Sequence, residues 1–123
     1  MTIGYVTLGT NDLDKAGAFY DQLLGEVGAK RVMTNERMVM WGTGRDQPML
    51  AVCKPHNEQI ATVGNGVMVA LNVDSTDKVD AVYAKAIELG GTDEGEPGPR
   101  SESFYGGYFR DLDGNKLVAF KSG

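Results

Sequence analysis

The chain is poor in the residues on which many functions depend. Its one cysteine, Cys53, cannot form an internal disulfide, so the fold does not call for an oxidising compartment. Its one histidine, His56, leaves no pair of imidazoles from which a metal site is commonly built. No apolar run approaches the roughly 20 residues that cross a bilayer, and Met1-Thr2-Ile3-Gly4 leads into a strand pattern rather than a signal peptide. Cations are scarce: 12 Lys and Arg stand against 17 Asp and Glu, a net charge of −5, and they are scattered rather than gathered into a patch that could hold nucleic acid or an anionic membrane. Walker sequences, paired metal histidines and Gly-x-Ser-x-Gly are absent. A length of 123 residues gives one domain with a core, not two. The expectation is a cytoplasmic protein with no nucleic-acid or membrane partner.

Glycine is plentiful: 17 residues, about twice the usual share, and a sign of many tight turns. Between them the apolar residues follow two periods. Val6 and Leu8 alternate with Tyr5 and Thr7, which predicts a strand over 5–10. Leu13, Ala16, Phe19, Tyr20, Leu23 and Leu24 recur at helical spacing, with Asn11 or Asp12 as N-cap and Gly25 or Gly28 as stop. Strands over 30–34, 37–41 and 49–54 follow. The order then repeats. A strand over 67–73 precedes a helix carried by Val79, Val82, Tyr83, Ala86 and Ile87, and strands are expected over 92–96, 104–110 and 116–121. An offset of 63 places Val6 on Val69, Leu8 on Leu71, Asp14-Lys15 on Asp77-Lys78, Tyr20 on Tyr83 and Gly28 on Gly91. Matching identities and matching periods together indicate two βαβββ modules, about 1–56 and 64–123, in an α+β domain spanning 1–123.

Several local motifs invite chemical readings. Cys53 and His56 suggest a thiol and base, but Cys53 alternates with Met49 and Ala51, which puts it on the helix-covered side as a core residue, while His56 follows Pro55 in a polar loop. Asp111-Leu112-Asp113-Gly114-Asn115 imitates the start of a calcium loop. Lys116 and Ser122 then occupy the places where Gly and a bidentate Glu are required, so a hairpin turn with Gly114 or Asn115 at positive φ is the better reading. Gly42-Thr43-Gly44 lacks a third glycine and a following helix, and is read as a turn. The segment 98–108, loop-like and then aromatic, is expected to be a flap over a pocket.

Three stretches taken together resemble the vicinal oxygen chelate superfamily, which includes glyoxalases, bleomycin-resistance proteins and extradiol dioxygenases. They are Tyr5-Val6-Thr7-Leu8 leading through Asn11-Asp12-Leu13 to Ala18-Phe19-Tyr20, then Val69-Ala70-Leu71 with Val73-Asp74, then Phe109-Arg110-Asp111-Leu112-Asp113-Gly114-Asn115-Lys116-Leu117. The resemblance implies that the modules form a U-shaped, incomplete barrel around a concave pocket, usually in a homodimer. In catalytic members a divalent metal is held by His or Glu from the first and last strands of each module. Those positions fall here on Tyr5, Met68, Val118 and Leu50, whose side chains cannot assemble such a site, so no metal and no other cofactor is expected.

The strand face opposite the helices should line the pocket. It supplies Tyr5 and Thr7, Leu50 and Val52, Met68 and Ala70, and Val118 and Phe120, with Trp41, Tyr105, Tyr108 and Arg110 as neighbouring additions. Such a lining would hold a small, largely apolar ligand, oriented by Tyr5, Thr7 or Arg110. An acidic chain would suit a cationic ligand. Two further readings remain at this level: a glyoxalase-like lyase, isomerase or dioxygenase using unusual groups such as Tyr5, Glu36, His56 or Glu102, and a dimer with a filled barrel that acts only through protein contacts.

Overall fold

Asp12 starts the first helix by staying extended at φ −149° and accepting the Lys15 N–H, and Ser75 does the same for Lys78 at the second. The computed structural model, which describes residues 1–123, has the order β1 (Tyr5–Gly9), α1 (Leu13–Gly25), β2 (Lys30–Thr34), β3 (Met38–Gly42), β4 (Met49–Cys53), β5 (Val69–Asn72), α2 (Thr76–Glu88), β6 (Thr92–Ser101), β7 (Phe104–Arg110) and β8 (Lys116–Ser122). The two βαβββ modules are therefore present. Each forms its own four-stranded sheet, β1-β4-β3-β2 and β5-β8-β7-β6, in which the outer pair β1·β4 or β5·β8 is parallel and the other pairs are antiparallel. The sheets share no ladder, so the barrel is not closed, and β1 and β5 are both edge strands.

One difference from the expected strands is large. β6 continues through Glu96-Pro97-Gly98-Pro99-Arg100 to Ser101, and the segment expected as a flap is the β6–β7 hairpin. Proline survives there because β6 is an edge strand, where a missing N–H need not break a ladder. The irregular residues are absorbed by three register shifts between Asp93 and Ser101.

The modules meet through their helices. α1 packs on α2, and a single cluster of 17 buried apolar residues runs through both modules, from Leu8, Phe19, Tyr20 and Trp41 to Val79, Val82, Phe109 and Leu117. The faces of the sheets turned away from the helices are not stacked on each other.

A polar latch joins the modules at one end. The 111–115 hairpin turns at Gly114, φ +92°, as expected from Asp-Gly-Asn. The Asn115 side-chain amide donates to Gly9 O at 2.9 Å, and the Asn11 N–H donates to Asp113 Oδ1 at 2.9 Å. Buried Asp111 accepts four hydrogen bonds: from the Tyr20 hydroxyl at 2.6 Å, from the Asp113 and Asn115 N–H groups, and from the Asn115 side-chain amide. The Asn11 side chain also closes a reciprocal pair with the Ala61 backbone, which ties the inter-module linker beside β1.

α2 is fastened to its sheet by two phenols. Tyr83 donates to Asp93 at 2.8 Å and Tyr105 to Asp80 at 2.8 Å. Desolvation, reinforced by Asp93, pushes the Tyr83 pKa up to about 12; the bond to Asp80 raises Tyr105; and burial, then Asp111, raises Tyr20 well above its ordinary range. Each phenol keeps its proton to a higher pH folded than unfolded. Their stabilisation is therefore complete below pH ~10 and lost as pH rises through each folded value, which for Tyr83 is about 12. Thermal melts across pH 8–11.5 should show the melting temperature falling above pH 10, with a shallower fall in Tyr83→Phe. An equally steep fall in that variant would remove Tyr83 from the explanation.

Candidate functional site: the open faces of the two sheets

Strand register decides which side chains look away from the helices. Val6 pairs with Leu50 and Leu8 with Val52 across β1·β4, while Val39 pairs with Val52 and Trp41 with Leu50 across β3·β4. Cross-strand partners share a face, and this set belongs to the core under α1. Leu50, Val52 and Trp41 are thus corrected from the open face to the helix face. Trp41 is held there by its indole N–H, which donates to Asp21 Oδ1 at 2.9 Å, and by Arg31 lying over the ring at 5.8 Å. The same Asp21 takes two hydrogen bonds from Arg31, and that guanidinium holds its carboxyl below the usual range.

The open face of the first sheet instead carries Tyr5 and Thr7, then Met49, Ala51 and Cys53, then Met38 and Met40, with Met33 opposite Met40. Cys53 is buried, but on this face and not under the helix. His56 lies exposed in the loop beyond.

In the second sheet the register puts most of the expected residues on the side away from α2. Ala70 pairs with Val118, Val118 with Tyr108, Phe120 with Gly106, and Arg110 with Lys116, while Leu117, Ala119 and Phe109 fill the other side against α2. Met68 precedes this strand and is exposed. Tyr105 is the exception: it pairs with Lys121 and reaches Asp80 on α2, so it is corrected to the helix face. Residues missed by the sequence reading complete the open face. Phe104 stacks on Phe120 with ring centres 5.0 Å apart and planes within 6°, above the space Gly106 leaves free. Lys116 and Arg100 lie 5.5 and 5.4 Å from the centre of the Tyr108 ring.

Two concavities adjoin these faces. One, of about 400 Å³, is lined by Arg110, Lys116, Met68 and residues 63–67. The other, about 800 Å³ and mainly apolar, is a groove between the modules where Met68, Ala70 and the rest of β5 look across to Met49, Leu50 and Val6, with Trp41 at its buried floor.

The register also revises the fourth position of the metal set implied by the resemblance. Val118 lies beside Ala70, and the equivalent neighbour of Thr7 in the first module is Ala51, not Leu50. A phenol, a methyl, a thioether and an isopropyl group then stand at Tyr5, Ala51, Met68 and Val118, and these do not fit a divalent metal of the usual kinds. Nowhere in the chain do three His, Cys, Asp or Glu side chains gather at ligating distance.

A sequence profile described as the glyoxalase, bleomycin resistance protein and dioxygenase superfamily matches residues 2–119, and the chain belongs to that superfamily. Among solved structures it is similar to a glyoxalase/bleomycin resistance protein from Albidiferax ferrireducens T118, with 33% identity over 98% of each chain and a TM-score of 0.90. A hypothetical protein from S. aureus is 28% identical, with 98% of this chain and 93% of that one covered and a TM-score of 0.74. A lactoylglutathione lyase from Agrobacterium tumefaciens, 24% identical with 98% and 92% covered and a TM-score of 0.71, shares the fold. No functionally curated protein matches. No helix is long and apolar enough to cross a membrane.

Proposed function

We propose that this chain binds a small organic molecule against the open sheet faces without a metal, as a cytoplasmic homodimer in which a second copy helps to enclose the ligand. The single observation that carries this reading is that aromatic and thioether side chains are left uncovered on those faces. Tyr5 and Met68 are 55% and 42% exposed, with Ile3 and Val67 beside them, at two strand edges that have no partner. Exposed apolar groups on an open edge favour association with a matching surface. Tyr5, Thr7, Met68, Ala70, Tyr108, Arg110 and Phe120 are the ligand-facing residues in this reading, with Val118 wholly buried beneath them. The inter-module groove adds Trp41 and Leu50 only as its floor, and Val52 and Tyr105 serve the core.

Purified protein should sediment as a dimer at micromolar concentration, and Met68→Asp should shift it towards a folded monomer. Chelator should leave the melting temperature unchanged, while a panel compound with Kd near 1 μM, supplied at 100 μM, should stabilise the fold by about 2.7 kcal/mol. Stoichiometric tight binding of Ni, Zn, Mn or Fe would favour the enzyme reading instead. A monomer that responds to no compound would end the proposal.

A further inference from the structure

The whole-chain charge of −5 gives no guide to the second sheet's open face, where Arg100, Arg110 and Lys116 gather and one of them, Arg110, is paired with a carboxylate. Arg110 and Lys116 are direct cross-strand partners, an arrangement that is unfavourable unless an anion lies between or beside them. Arg110 has one: Glu94 accepts from its Nε at 2.9 Å, and Gly114 O accepts from Nη1. Lys116 has none, since it takes part in none of the three ion pairs of the protein; its ammonium lies over the Tyr108 ring. Arg100 reaches the same ring, with its guanidinium donating to the backbone oxygens of Glu96 and Gly98 rather than to a carboxylate. Arg110 and Lys116 both line the cavity of about 400 Å³; Tyr108 is the next residue of that face, and the stacked Phe104 and Phe120 lie further along the same two strands.

From this we infer that the ligand is an organic anion, a carboxylate or a group of like charge on an apolar or aromatic body, with its charge at Lys116 and Arg110 and its body along Tyr108 and Phe120. The inference rests on the cleft-binding reading above and names the chemical class that reading left open. An anion at Lys116 relieves the cross-strand repulsion and gains a charge-assisted hydrogen bond, while its body covers ring surface that is otherwise wet. A cation of the same shape would meet an excess of positive charge.

Three probes of one shape separate the possibilities: 2-naphthoate, 2-naphthylmethanol and 2-naphthylmethylammonium, titrated calorimetrically into the full-length protein at low and at physiological salt. The naphthoate should bind about tenfold more tightly than the alcohol, the ammonium should bind more weakly than the alcohol, and the preference should shrink with salt. Lys116→Gln should bring the naphthoate's affinity close to the alcohol's within that variant, and Lys116→Arg should restore the preference. If the alcohol or the ammonium binds as well as the naphthoate, the anion assignment fails while cleft binding stands. If none of the three binds, cleft binding itself fails and takes this inference with it. An undiminished naphthoate preference in folded Lys116→Gln would overturn the role given to that residue.

Discussion

Asp111→Ala should lower the unfolding free energy by about 2–4 kcal/mol, the scale set by losing hydrogen bonds to a buried charged acceptor and leaving their donors unsatisfied. Four donors converge on this carboxylate, and two of them, the Tyr20 hydroxyl and the Asn115 side-chain amide, sit on opposite sides of the module junction. Alanine leaves all four without an acceptor in a place water reaches poorly, so the loss includes their desolvation as well as the bonds. Asp111→Asn, which keeps an acceptor oxygen but adds a competing donor, should fall between the two. Urea denaturation of the three proteins reads this directly. A loss under 1 kcal/mol in the alanine variant would mean that the shared apolar core, not the latch, holds the modules in place.

Trp41→Ala should cost a comparable amount, about 3–5 kcal/mol, as expected for truncating a large core aromatic. The indole is 1% exposed, its ring centre is 5.6 Å from that of Tyr20, and its N–H satisfies Asp21. The variant would also open the floor of the inter-module groove. Chemical denaturation again gives the number, and a variant as stable as the parent would return Trp41 to the pocket lining that the sequence suggested. Trp41→Phe, which retains most of the volume but leaves Asp21 one donor short, should lose roughly 1–2 kcal/mol.

The displaced residues show where sequence periodicity stops being informative. Val6 and Leu8 alternate with polar neighbours, so their face was legible, and with it Tyr5 and Thr7. Met49-Leu50-Ala51-Val52-Cys53 is apolar throughout, and in such a run a period of two selects no face. Only the ladder with β1, in which Leu50 falls beside Val6, decides it. One misplaced residue in that strand moved Leu50, Val52, Met49, Ala51 and Cys53 together. The aromatics of β3 and β7 carried the same ambiguity, and Trp41 and Tyr105 went to the core where Asp21 and Asp80 receive their polar atoms. β6 was shortened because Pro97, Gly98 and Pro99 read as a loop when considered without their place at the sheet edge. The second sheet fared better because the Asp-Gly-Asn turn fixes where β8 begins. Lys116, directly after that turn, was legible as a strand residue, but its partnership with Arg110 belongs to the three-dimensional pairing.

Five of the six methionines fall on or beside one open surface: Met33, Met38, Met40 and Met49 on the first sheet, and Met68 at the start of the second. Thioether chains have several soft torsions and no branching, so such a wall can reshape itself around guests of different outline at little cost. The aromatic wall of the second sheet, pinned by stacking and by cations, has no such latitude. A guest on the second sheet would be chosen by its charge and one on the first accommodated in its contour, and peroxide, by turning thioethers into sulfoxides, would stiffen and wet the accommodating face.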